Sequence, residues 1–432
     1  MATETIAQPP VATPARPAAR SGFLDGLRCR NCSLAQPIGP SFVCPACFGP
    51  LEVVYDLPAI ASAIDRETIE ARAPGIWRYR ELLPVDAAPE RGLPVGSTPL
   101  LRAERLGAEL GLGRLWLKDD TRNPTLSFKD RVVAVAAARA VEFGFDTLAC
   151  ASTGNLAGAT AAAAAALGLK AFVFVPADLE PAKIEHALAY GATLVRIDGT
   201  YDDVNRLSLE IADEEGWAFV NVNLRPYYSE GSKTIAFEVA EQLGWRLPDV
   251  VVAPIASGSL FTKVARGFKE LAEVGLVEPK AVRFVGGQAA GCGPVASAFA
   301  DGADTITPVR SPDTIVRSLA IGSPADGLFA LELARRTGGS IEGIPDSATA
   351  QAIRDLGRLE GLQAETAGGV TVAAAAAALR RGVIAPDDEV VVLITGNGVK
   401  TPDARRYGLQ EEPVGAPIAA SYAAFEAWQA AS

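Results

Sequence analysis

Between about residue 114 and residue 394 the chain alternates between short apolar runs and longer stretches with helical spacing. "RLWLKDD", "DTLACAS", "KAFVFVP", "TLVRID", "WAFVNVN", "DVVVAPIASG", "AVRFVGG" and "EVVVLITGNG" have the length and branching of strands. Between them lie "SFKDRVVAVAAARAVEFG", "GNLAGATAAAAAALG", "EPAKIEHALAYG", "YDDVNRLSLEIADEEG", "GSKTIAFEVAEQLG" and "SLFTKVARGFKELAEVG", each of helical length. Apolar runs that are continuous rather than alternating belong to strands buried on both faces, which means parallel sheets covered by helices. The pattern predicts an α/β protein with two parallel-sheet subdomains around a cleft.

Open α/β sheets bind ligands at the carboxyl ends of their strands. Four loops fall there: "NPTLSFK", "STGN", "ASGS" and "TGNG". Their glycines and hydroxyls suit backbone amides that cradle anions at helix N-termini. Neither G-x-G-x-x-G nor G-x-x-x-x-G-K-[ST] occurs, so dinucleotide and nucleoside-triphosphate loops are excluded. Lys129 opens a helix, where the helix dipole disfavours an ammonium and makes a neutral amine more available for a Schiff base. A lysine, a Gly/Ser loop and a strand-end Ser/Thr are what a phosphorylated aldehyde cofactor requires, and all three occur.

Ahead of this region stands C-x2-C-x11-C-x2-C, formed by Cys29, Cys32, Cys44 and Cys47. Two such pairs present four thiolates to one tetrahedral ion and suit zinc. A closed four-cysteine site leaves no position for substrate, so its role is expected to be structural. The expected organisation is a disordered Ala/Pro tail over roughly 1–20, the ribbon over 21–56, and a catalytic domain over 57–432 with a smaller subdomain at roughly 135–230.

Composition removes other classes. The net charge of −11 argues against nucleic acid and against an anionic membrane surface, and no apolar run is long enough to span a bilayer. The tail lacks an apolar segment of the secretory kind, so a cytoplasmic location is expected. His186 is the single histidine, which excludes any mechanism needing two.

In order along the chain, "NPTLSFKDR", "ASTGNLAG", "PIASGSLFTK", "ETAGG" and "ITGNGVKT" resemble the threonine synthases of the fold-type II pyridoxal-phosphate enzymes. The resemblance runs from about Gly92 to Thr401, and the cysteine ribbon is similar to that of a subgroup. It implies a tryptophan-synthase-β-like fold, a homodimer, and conversion of O-phospho-L-homoserine and water to L-threonine and phosphate. Lys129 would carry pyridoxal 5′-phosphate covalently and shuttle protons. Asn155 would contact the cofactor's 3-oxygen, and Ser152, Thr153 and Gly154 the substrate carboxylate. Ala256, Ser257, Gly258, Ser259 and Leu260 would hold the cofactor phosphate, with Thr395 facing the pyridine nitrogen.

Two departures stand out. "ASGSL" replaces the G-N-x-G-N of many relatives, and Tyr228 stands where many have an arginine before E-G-x-K-T. Arg225, Tyr228 and Lys233 are therefore the expected contacts of the substrate phosphate. Two rivals are a β-replacement or β-elimination enzyme with the same cofactor, such as cysteate synthase or threonine dehydratase, and a non-catalytic zinc-ribbon binding protein.

Overall fold

The computed structural model describes residues 22–41, 43–152, 154–177, 181–198, 201–409 and 417–431. The expected tail and Thr153 lie outside them. Thirteen strands occur among the described residues: β1 Leu24–Cys29, β2 Ala35–Gln36, β3 Leu51–Tyr55, β4 Leu100–Arg102, β5 Arg114–Asp119, β6 Thr147–Ala151, β7 Lys170–Pro176, β8 Thr193–Ile197, β9 Ala218–Phe219, β10 Val250–Pro254, β11 Arg283–Ala289, β12 Ser340–Ile344 and β13 Glu389–Ile394. They form a small antiparallel sheet, β2-β1-β3, and two larger ones, β12-β11-β10-β13-β5-β4 and β8-β7-β6-β9. The larger sheets are parallel apart from β4, which runs antiparallel to β5.

Every residue of β6, β10 and β13 is buried, the physical counterpart of their apolar composition, with only Thr147 and Glu389 polar at the starts of β6 and β13. Because β10, β13 and β5 are neighbours, the loops leaving them emerge side by side, although they lie far apart in sequence. The fourth loop leaves β6, in the other parallel sheet.

Helices follow the strand ends. Lys129–Glu142 is buried along most of its length, and the chain leaves it through Gly144 at φ +83. Six of the nine buried positions of Asn155–Leu167 are alanine, combining high helix propensity with side chains small enough for close packing. Gly158 in that helix has no room for a methyl group, since a Cβ there would fall 2.2 Å from the His186 ring. The single histidine is thus a packing residue of the smaller sheet's helices.

A fully buried ion network anchors the Lys129 helix. Arg131 donates to Asp120 Oδ2 at 2.8 Å and to Glu238 Oε1 at 2.7 Å, while Lys118 Nζ donates to Glu238 Oε2 at 2.6 Å. Burial opposes ionisation of Glu238, yet Arg131 and Lys118 more than offset it and hold the carboxyl well below the usual range. The arginine of "FKDR" is therefore a fixed pin two residues beyond Lys129.

Two elements differ from expectation. "WAFVNVN" provides a strand of two residues, because Asn223 Oδ1 accepts from the Phe219 amide and its Nδ2 donates to the Trp217 carbonyl, closing a turn. The edge strand β12, "SIEGI", has too little apolar periodicity to be recognised, and its Glu342 is nevertheless buried, taking a 2.6 Å bond from Ser340.

The four-cysteine segment closes on itself. Cys29 ends β1, the Ser33 amide donates to the Cys29 carbonyl, and the Phe48 amide donates to the Cys44 carbonyl. The sulfur atoms of Cys29 and Cys47 lie 3.5 Å apart and those of Cys32 and Cys44 3.6 Å apart, and all four fall within 4.8 Å of one another. Four ligands at about 2.3 Å around a tetrahedral zinc ion stand about 3.8 Å from one another, so the donor set fits.

Candidate active site

Lys129 begins its helix just past the carboxyl end of β5, after a single 3-10 turn, Asp120–Arg122. The Phe128 amide donates to the Thr395 carbonyl at 2.9 Å, and Ser127 forms a bridge with Gly396. These bonds fix the lysine's backbone to the end of β13. Its Nζ lies 2.9 Å from the Tyr228 hydroxyl and 4.7 Å from the centre of the Phe128 ring. Asp130 beside it turns inward, accepting from the Thr125 amide at 2.7 Å and hydroxyl at 2.6 Å. Burial pushes the Asp130 carboxyl up to about 6 against those bonds.

Beyond β13 in the same sheet stands the loop leaving β10. Gly258 precedes the helix Ser259–Glu273 at φ +97, and a Cβ on it would meet the Asp326 carbonyl oxygen at 2.6 Å, so only glycine fits. No acceptor among the described residues takes the amides of Ala256, Ser257 and Gly258, and Ser259 finds only a 3.5 Å contact with Ser257 Oγ. Leu260, at the second helical position, has no acceptor within its helix. A row of free amides at the start of a fifteen-residue helix is an anion cradle and fits a phosphate group.

The β6 loop brings Ser152, Gly154 and Asn155. Ser152 is buried and its Oγ accepts from the Gly154 amide at 3.2 Å. Asn155 is gripped from both sides: its Nδ2 donates to both carboxylate oxygens of Glu365 at 3.0 and 2.9 Å, and its Oδ1 accepts from Lys400 Nζ at 2.9 Å. Lys400 also donates to the Thr125 carbonyl. The opposite charges at the two ends of the amide set its orientation. Burial raises the Glu365 carboxyl and lowers the Lys400 ammonium, each moderated by its partners. A Cβ on Gly396 would lie 2.2 Å from Glu365 Oε1, which explains the glycine of "TGNG". Thr395, at the end of β13, is 2% exposed, and its hydroxyl has no partner among the described residues.

Lys129, Asn155, Thr395 and the 256–260 loop thus converge through hydrogen bonds and strand adjacency. Tyr228 joins them through Lys129. Arg225 is partly exposed, and one of its nitrogens donates to Asp326 Oδ2 at 2.7 Å, just behind the amide cradle. Lys233 does not join them. It is fully buried, pairs with Glu230 and Glu270 at 2.6 Å each, and lies 4.1 Å from the centre of the Tyr55 ring. An ammonium neutralised on both sides and shut from solvent cannot meet a substrate phosphate, which corrects that expectation. Sequence reasoning missed Glu365, Lys400 and Asp130 as neighbours of the site, although all three lie within motifs it had singled out.

Residues 92–396 match the family of pyridoxal-phosphate dependent enzymes, and the chain belongs to that family. Among curated proteins it is 36% identical over 362 residues to the threonine synthase of Methanosarcina acetivorans, covering 84% of this chain and 88% of that protein. It is 35% identical over 389 residues to the threonine synthase of Methanocaldococcus jannaschii, covering 90% and 95%. Among solved structures, maize serine racemase matches with a TM-score of 0.59 at 21% identity, over 69% of this chain and 88% of that one. Threonine deaminase isoform 2 of Solanum lycopersicum matches with a TM-score of 0.60 at 23% identity, over 72% and 81%. These two likenesses establish the fold.

Proposed function

We propose that the chain is a threonine synthase, converting O-phospho-L-homoserine and water to L-threonine and phosphate with pyridoxal 5′-phosphate. The observation that carries this reading is the similarity to the Methanocaldococcus enzyme, which spans 90% of the chain. The geometry supports it: a strand-end lysine faces an anion cradle, an oriented amide and a free hydroxyl, as the cofactor requires.

When bound, pyridoxal phosphate supplies the electron sink that makes the substrate's Cα proton acidic. The chain's own groups do the rest. Lys129 Nζ holds and moves the proton at Cα and Cβ, and the Tyr228 hydroxyl keeps that nitrogen in place between transfers. The amides of Ala256 to Leu260 would hold the cofactor phosphate. Asn155 would meet the 3-oxygen by turning one Nδ2 hydrogen from Glu365 to it, and the Thr395 hydroxyl would meet the ring nitrogen without protonating it. Ser152, Thr153 and Gly154 receive the substrate carboxylate. Arg225, with guanidinium nitrogens beyond the one on Asp326, and Tyr228 hold the departing phosphate.

The reading includes one structural zinc on Cys29, Cys32, Cys44 and Cys47, a cytoplasmic location and a homodimer. No helix among the described residues is long and apolar enough to cross a membrane. The deciding experiment is a product assay on purified protein with phosphohomoserine and phosphoserine side by side. Threonine and phosphate from the first substrate alone support the reading. Turnover of phosphoserine alone would replace it with the β-replacement rival.

A further inference from the structure

The cysteine ribbon reaches the amide cradle through one side chain. Arg30, between Cys29 and Cys32, lies with its guanidinium 3.4 Å from the centre of the Phe329 ring and donates to Asp326 Oδ1 at 3.2 Å. The other carboxylate oxygen of Asp326 takes Arg225 at 2.7 Å. Asp326 touches the cradle directly: its amide donates to the Ser257 carbonyl at 2.8 Å, and its carbonyl occupies the space where Gly258 lacks a Cβ. Its side chain is only 7% exposed. A nearly buried carboxylate therefore stands immediately behind amides suited to a phosphate, where its charge opposes any anion. Two arginines neutralise it, and one of them belongs to the ribbon.

The ribbon's seat is otherwise firm without Arg30. Glu52 on β3, which also pairs with Arg30 at 3.3 Å, keeps Lys263 at 3.1 Å and Arg266 at 3.3 Å without it, and Tyr55 donates to Glu230 at 2.9 Å. The Gly39 amide and carbonyl both bond the Tyr227 hydroxyl, at 3.1 and 2.8 Å. Arg30 can thus be altered while the ribbon stays docked.

We propose that Arg30 is a positioning residue for the cofactor's phosphate, acting through Asp326 by cancelling its charge behind the Ala256–Leu260 amides. The ribbon then forms part of the electrostatic wall of the active site as well as a structural appendage. The proposal rests on the reading that this loop holds the cofactor phosphate.

The test titrates cofactor-free protein with pyridoxal phosphate and, separately, with pyridoxal, which carries no phosphate. Arg30→Gln is expected to weaken pyridoxal phosphate about tenfold, the effect of about 1.4 kcal/mol of unscreened charge, while changing pyridoxal less than about twofold. Adding Asp326→Asn to Arg30→Gln should restore phosphate-ester binding, because the repelling charge is gone. A purely structural role predicts the opposite: equal loss for both ligands, deepened by the second substitution. Either that outcome or unchanged binding in folded Arg30→Gln would overturn the proposal. If Arg30→Gln does not fold, Asp326→Asn alone decides, since it must tighten pyridoxal phosphate relative to pyridoxal. Failure of the parent protein to bind pyridoxal phosphate would count against the underlying reading instead.

Discussion

Asn155 and Glu365, 210 residues apart in sequence, are joined by two hydrogen bonds of 3.0 and 2.9 Å from one amide nitrogen to both oxygens of one carboxylate. Asn155 follows a strand of the four-stranded sheet, and Glu365 opens the helix Thr366–Arg380 packed on the six-stranded sheet. The contact ties the two halves of the cleft together at the cofactor's expected position. Glu365→Ala should loosen this tie and weaken cofactor binding by about tenfold, the loss of one or two charge-assisted bonds of about 1.5 kcal/mol net. Equilibrium titration of cofactor-free protein is the check. Gly396→Ala should do the same by displacing Glu365, since its Cβ would stand 2.2 Å from Oε1.

The lysine assignment is tested by chemistry rather than by rate alone. Borohydride should abolish the visible absorption of the purified protein and leave a reduced adduct that maps to Lys129. Lys129→Ala should lose turnover by roughly three orders of magnitude or more, because covalent and proton-transfer roles vanish together. An adduct on Lys400 or on the buried Lys118 would refute it.

Tyr228→Phe removes the hydroxyl at 2.9 Å from Lys129 Nζ and leaves the ring in place. Turnover should fall about ten- to a hundredfold through kcat, with the fold and cofactor content intact. Arg225→Ala should instead weaken phosphohomoserine turnover by roughly ten- to a thousandfold, from the loss of charge-assisted bonds to the departing phosphate, and, because Arg225 also pairs with Asp326, should weaken pyridoxal phosphate binding as well. Steady-state kinetics on both variants separates the two effects.

The Glu238 network gives a pH signature. Its carboxyl is depressed in the folded state, so its stabilisation is present above the unfolded carboxyl range near about 4.3 and is lost as pH falls below it. Glu238→Gln leaves Arg131 and Lys118 underpaired and should cost about 3–5 kcal/mol at neutral pH. The gap between parent and variant should shrink between about pH 4 and pH 2, as read by denaturant unfolding at each pH.

Metal analysis should find one zinc per chain. Chelation should expose four reactive thiols, while Cys150 and Cys292, both buried, stay unreactive without unfolding. Cys32→Ser should lower metal content and destabilise the ribbon.

What the sequence determined by itself was local. Apolar runs specify buried strands wherever they occur, so β5, β6, β7, β10, β11 and β13 were legible, as were the four cysteines and the glycine loops at strand ends. Lys129 was legible as a lysine placed where a helix dipole works against it. What the tertiary structure decided is which ends meet. Strand order places β10, β13 and β5 side by side, and no local pattern encodes that order. Burial also sorts the cations: Lys233 and Lys400 look alike in sequence, but one closes on Glu230 and Glu270 in the interior and the other reaches Asn155. Such choices depend on the charge balance of groups brought together from distant segments. For the same reason Arg30, an unremarkable residue between two cysteines, acquires its place on Asp326 behind the Ala256–Leu260 amides only once the ribbon is docked.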